Sequence, residues 1–268
     1  MYSGKTISRQ SGKIIGVHQK IDRAARRNLN LLIKNSRSFP GIRNIIYFEG
    51  KNGPDGLKIK HSKKDNPWHF INPLDPTDKA LINMIDDHIF NLSVAIREKN
   101  DIRAAFEAAW LAHAVTDGLT PAHLVPLGDE IEKLFGHSPR DEKSYLNKKL
   151  IRGKNRRDTV IKNWEYWGDG MVMSHFMFEV GVASAIAPKK YGSASPSQSD
   201  VDYLMQKGFE SSFLKSVRKI YGLKAYENFM KKGMTVDLAL EIKETIVPEI
   251  INCVTLAWYY AALLAAKK

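Results

Sequence analysis

The sequence predicts an all-α protein, a single-domain bundle of long helices. Three observations carry that expectation. Apolar residues recur at three- and four-residue spacing through most of the chain. Residues that cap helices stand ahead of several of those runs. Strand signals are weak, and Asn44 to Phe48 is the one candidate run.

Taken in order, Ile14 to Lys34 carries apolar residues at helical spacing and opens the bundle. Thr77 and Asp78 are placed to cap a helix from Lys79 to Arg97, striped by Leu81, Ile82, Ile85, Ile89, Leu92 and Ile96. Asp101 is placed to cap the next helix, which runs to Asp117. Asp158 to Ala187 is another long helical stretch, interrupted near Gly168 and Gly170. Pro188 to Ser199 is rich in Ser, Gly and Pro and reads as a loop. Asp200 to Tyr221 and Met234 to Ala266 complete the set, and Pro248 should kink or break the last helix. Ile250 to Ala266 is apolar for about 17 residues, the short edge of a membrane span. Asn252, Thr255 and the closing Lys267-Lys268 fit the central helix of a bundle better.

A chain of 268 residues with 43% hydrophobic content can bury a sizeable core in one domain. Its single cysteine, Cys253, excludes an intrachain disulfide and a zinc site built from several thiolates. It reads as a small buried apolar residue. The start, Met1-Tyr2-Ser3-Gly4-Lys5, has no apolar stretch and does not read as a signal peptide. The net charge of +12 gathers in Lys20 to Arg27, Lys58 to Lys64, Lys148 to Arg157 and Lys215 to Lys224. These clusters read either as solvated helix faces or as a surface that attracts polyanions, phospholipid headgroups or nucleic acid.

The most informative residues are His113, Asp117 and His123, in the pattern H-x3-D-x5-H. His113 and Asp117 share one helix face, one turn apart. Pro121 stops the helix, and His123 returns from the loop that follows. Imidazole, carboxylate and imidazole converging at a helix end make a cation site for which zinc is the usual occupant. Other parts of the chain supply partners: His18, Asp55, His69, and the i, i+4 pair His175 and Glu179. A carboxylate and an imidazole in the apolar stretch Phe176-Met177-Phe178 are costly to bury without a cation or a partner. His61, His88 and His137 are read as surface or outer residues. His137 with Asp141 is a competing pair, ranked second because Gly136 to Arg140 reads as a turn. Trp164, Tyr166 and Trp167 read as packing or as the lining of a substrate mouth.

This order of ligands resembles the bacterial zinc-dependent phospholipase C family, which shares its all-α fold and trinuclear site with the fungal single-strand-specific zinc nucleases. The family's helix motif is close to H-Y-x-[GT]-D-x-x-x-P-x-H, and the chain reads His113-Ala114-Val115-Thr116-Asp117-Gly118-Leu119-Thr120-Pro121-Ala122-His123. Ala114 departs from the usual aromatic, and Pro126 stands where many members carry Asn. The similarity implies one domain over residues 1–268 with an insertion at about 124–170. It implies that Asp55, His69, His113 and Asp117 hold one zinc ion and that His123, His175 and Glu179 hold a second. His18 and Asp117 would hold a third, with Asp117 as the bridge. In the family that third ion is completed by an N-terminal Trp, and no Trp lies near this chain's start; its analogue falls among Met1 to Ile7. The family is commonly exported, whereas this N-terminus reads as cytoplasmic.

The implied activity is hydrolysis of a phosphodiester by a zinc-activated water attacking phosphorus, with Asp55 orienting or deprotonating that water. Three functions stay open at this point. One is a phospholipase C acting on phospholipids, with no obligate protein partner and adsorbing to an anionic membrane surface. A second is a nuclease of the same fold acting on single-stranded nucleic acid. A third is a non-catalytic, metal-stabilised protein that binds lipid or a partner.

Overall fold

The computed structural model describes residues 16–33, 38–49, 52–55, 70–124, 154–163, 171–192 and 194–267. Among these residues every regular element is helical, so the all-α expectation holds. The helices are α1 (Val17–Leu32), α2 (Ile42–Tyr47), α3 (Ala80–Arg97), α4 (Asp101–Gly118), α5 (Arg156–Asn163), α6 (Met171–Ile186), α7 (Gln198–Gly222), α8 (Ala225–Lys232), α9 (Val236–Glu241) and α10 (Val247–Ala266). A 3₁₀ turn at Pro121–His123 follows α4, and a π turn at Ile242–Ile246 joins α9 to α10. His61, His69, His137, Asp141, Trp164, Tyr166, Trp167 and Met1 to Ile7 lie outside the described residues, as does most of the expected insertion.

The centre of the bundle is α10, which packs against α1, α3, α4 and α7. Trp258 is fully buried there, and its indole N–H donates to the Ala108 carbonyl of α4 at 2.9 Å. The run 236–266 is long and apolar enough to cross a bilayer by length and composition, yet half of its most apolar window is buried inside the protein. Cys253 is buried in this helix, and burial pushes its thiol well above the ordinary range, as suits an inert apolar residue. On α1, Val17, Ile21, Ala24, Ala25 and Leu29 turn inward at helical spacing and carry His18 and Asp22 with them.

Several local expectations need correction. Asn44 to Phe48 is not a strand: it falls in α2 and the turn that closes it. Its β-branched isoleucines suggest a strand, but Ile45 is the fully buried residue of the run, with Ile46 and Phe48 half-buried beside it. The capping positions are shifted. Lys79, without a side-chain cap, precedes α3, while Asp78 accepts from the Asn72 N–H at 2.9 Å. Asn100, not Asp101, caps α4, accepting from the Arg103 N–H at 3.1 Å. Pro248 does not break the last helix. The π turn just before it widens the helix by one residue, and Pro248 sits where a new first turn begins. The stretch Asp200 to Tyr221 lies within α7, which is kinked at Gly208, where φ is 78°.

Candidate metal centre

The helix motif does what its spacing predicts. His113 and Asp117 lie on the buried face of α4, with Nε2 of His113 at 3.2 Å from Oδ2 of Asp117. Past Gly118 the chain turns through Thr120, whose hydroxyl donates to the Thr116 carbonyl at 2.9 Å. The His123 N–H then donates to the Thr120 carbonyl at 2.8 Å. Ile71 anchors the same turn by donating to the His123 carbonyl at 3.2 Å, and the Phe70 ring lies 5.0 Å from the His123 ring. The return of His123 is therefore fixed from both sides.

Two groups of side chains gather around Asp117. In the first, His18 from α1 stacks on His113, ring centroids 4.3 Å apart and planes 18° apart. Nε2 of His18 lies 3.3 Å from Oδ1 of Asp117, so the two imidazoles face different oxygens of one carboxylate. Asp55 joins at the edge, its Oδ1 3.7 Å from Nε2 of His113 and its side chain a quarter exposed. In the second group, His175 and Glu179 on α6 meet His123. Nε2 of His175 lies 3.1 Å from both Nε2 of His123 and Oε1 of Glu179. The His123 and His175 rings stack at 4.8 Å. The groups touch through His123 Nδ1 and Asp117 Oδ1, 3.9 Å apart.

Each group can hold a metal ion. Two ligand atoms on one tetrahedral zinc, each about 2.0–2.2 Å from it, stand about 3.4 Å from one another. The contacts of 3.1 to 3.3 Å already lie within a few tenths of that spacing. Tautomers agree as well. Nδ1 of His123 bonds to the Asp117 carbonyl at 2.9 Å, which can only accept, so the proton sits on Nδ1 and Nε2 is left as the ligand atom.

Electrostatics follow from crowding titratable groups away from water. Burial works against the charged form of His113, but Asp117, Glu49 and Asp55 outweigh it and raise this imidazole well above its ordinary value. Asp117 is pulled the other way. Burial would raise its carboxyl, and the positive charge around it, His113 and His123 included, holds it well below the ordinary range. His123, by contrast, is lowered well below its ordinary value, with burial as the largest cause. Burial also opposes ionisation of Glu179, but nearby positive charge, including a hydrogen-bonded His175, lowers that carboxyl.

Of the eight ligands inferred from sequence, seven lie among the described residues, and the structure brings all seven together. His69 falls outside them. His88 joins neither group; its Nδ1 lies 2.6 Å from Oε2 of buried Glu107, which also pairs with Arg103. One neighbour was not anticipated. Glu49, in the turn after α2, is buried, and its Oε1 lies 2.9 Å from Nδ1 of His113. A helical reading of 42–49 would have placed Glu49 four residues after Ile45, on the same inward face. Asp22, one turn after His18, is also buried. Burial, with Glu49 adding to it, raises its carboxyl well above the ordinary range. No family model, no curated protein and no solved structure matches this chain.

Proposed function

We propose that this protein is a zinc-dependent phosphodiesterase that hydrolyses phospholipids in the manner of a phospholipase C. The observation that carries this reading is the pair of three-ligand groups joined across Asp117. Imidazole and carboxylate donors without a thiolate suit zinc among the common cations. When bound, zinc would neutralise the phosphodiester oxygens and make a coordinated water acidic enough to react near neutral pH. Asp117, with one oxygen toward each of two imidazoles, has the disposition of a bridging carboxylate. Asp55 stands between the buried ligands and solvent, where it orients the attacking water and draws its proton.

Two features favour lipid over nucleic acid. First, the described residues of α6 are apolar apart from its ligands, Ser174 and Ser184. Its inner side buries Phe178, Val182 and Ile186 beside His175 and Glu179, and its outer side exposes Met173, Phe176 and Met177. An exposed apolar surface on the helix that carries two ligands suits acyl chains. Second, among the described residues several basic side chains that would attract a polyanion are engaged within the fold, while Lys58 to Lys64 and Lys148 to Gly153 lie outside the described residues. Lys20 donates to the Ile186 and Ala187 carbonyls, Arg26 to Pro40 and Arg27 to Tyr191. Lys215 pairs with Asp200, and Lys219 with Glu249.

Metal analysis of the purified protein should find at least two zinc ions per chain, and Asp117→Asn should lower the content most. Unchanged zinc content in both Asp117→Asn and His113→Ala would remove the centre. Phosphatidylcholine should be cut on the glycerol side of phosphorus, releasing diacylglycerol and phosphocholine. Cleavage of single-stranded DNA without lipid turnover would move the assignment to the nuclease reading. Full zinc occupancy with neither activity would favour the non-catalytic one.

A further inference from the structure

Glu49 and Asp117 stand on opposite sides of the stacked pair His18 and His113. Oε1 of Glu49 lies 2.9 Å from Nδ1 of His113 and 4.0 Å from Nδ1 of His18. Nε2 of the same rings lies 3.2 Å and 3.3 Å from the two oxygens of Asp117. All four side chains are buried. We propose that Glu49 is the positioning residue of the centre: it holds the His113 proton on Nδ1 and presents Nε2 as the ligand atom.

An imidazole binds a metal through one nitrogen, and the hydrogen bond made by the other nitrogen decides which one. Glu49 meets His113 at Nδ1, away from the Asp117 oxygens, so it cannot share the ion that Nε2 would hold. It acts instead as an outer carboxylate, fixing ring orientation and making the ligand more basic. The oxygen is within hydrogen-bond reach of His113 only; at 4.0 Å it meets His18 as a neighbouring charge beside a nearly parallel ring, at 18°. Its own position is set by the turn after α2, where the Glu49 N–H donates to the Ile46 carbonyl at 3.1 Å. The inference rests on the metal reading given above.

The test compares wild type, Glu49→Gln and Glu49→Leu. Zinc affinity is measured by competition with a chromophoric chelator, and imidazole protonation by long-range ¹H–¹⁵N spectra of the zinc-loaded proteins. Glu49→Gln keeps the size and an acceptor but loses the charge, and should weaken zinc binding roughly tenfold; Glu49→Leu removes the acceptor and should weaken it roughly 100-fold. In wild type His113 should carry its proton on Nδ1, and in Glu49→Leu that signature should be lost. Zinc affinity within about twofold of wild type in Glu49→Gln, with His113 unchanged, overturns the proposal. So does a zinc-loaded wild type with the His113 proton on Nε2. Should Glu49→Leu not fold, the Gln variant decides alone. A wild type that binds no zinc overturns the metal reading itself, whereas tight wild-type binding with an unaffected Gln variant overturns only the role of Glu49.

Discussion

At the scale of single residues, Gly118 shows how little room the site helix has. A β-carbon there would stand 2.5 Å from Cδ2 of Leu81 and 2.8 Å from Cζ of Phe213. Both side chains are fully buried, so neither end can give without disturbing its neighbours. Gly118→Ala should therefore destabilise the protein by about 1–3 kcal/mol, because relief requires the packed ends of Leu81 and Phe213, or α4 itself, to shift. Denaturant unfolding of the zinc-free protein measures this, and a neutral or stabilising result would show that the packing yields. Individual ligands were legible in the sequence where the backbone makes spacing informative. His113 with Asp117, and His175 with Glu179, share helix faces by arithmetic alone. Glu49 was not legible, because a strand reading of Asn44 to Phe48 hides the four-residue step from Ile45 that turns it inward.

At the scale of elements, helix existence was readable and helix ends were less so. The capping of α4 is the informative case. Asn100 and Asp101 are both good capping residues, and sequence alone does not choose between them. The choice is made by Lys99, whose left-handed φ of 57° turns the chain so that Asn100 faces the Arg103 N–H. Asn100→Ala should cost about 1 kcal/mol. Asp101→Ala should cost less, since that residue supplies only a first-turn charge worth about 0.3–1 kcal/mol. Equal losses in thermal unfolding would argue against this assignment. The helix α8 was not foreseen for a related reason: Lys224, at φ 55°, separates it from α7, and a lysine in the left-handed region leaves no sequence signal. At Pro248 the rule about proline was sound, but the π turn accommodated it without ending the helical run.

At the scale of the whole molecule, the overall charge of +12 suggested a surface made for polyanions, and the side chains qualify that suggestion. Charge counts cannot reveal that Lys20, Arg26 and Arg27 donate to carbonyls at the end of α6 and in loops, and hold those segments against α1. Adsorption to lipid should then depend more on the apolar outer side of α6 than on charge. Phe176 is 48% and Met177 51% exposed. Replacing both with Ser should remove roughly 2 kcal/mol of burial and weaken binding to phosphatidylcholine vesicles at least tenfold, by the usual yield of apolar area. Zinc content should not change. Vesicle sedimentation at low and high salt checks this, and binding that disappears with salt while tolerating both substitutions would return the role to the basic clusters.

The same arrangement has a topological consequence. The residues that meet at the centre come from distant parts of the chain: Glu49 and His113 are 64 positions apart, His123 and His175 52. An ion shared between His123 and His175 would close a loop in a chain whose single cysteine allows no internal disulfide. By the entropy of closing a loop of that length, such a clasp is worth on the order of 4 kcal/mol, the scale of a disulfide. Unlike a disulfide, it would be reversible by chelation. Backbone cleavage anywhere between His123 and His175 would leave the two pieces joined through the ion as well as through the packing of α10 on α1, α3 and α4, and a chelator would remove the first of these links.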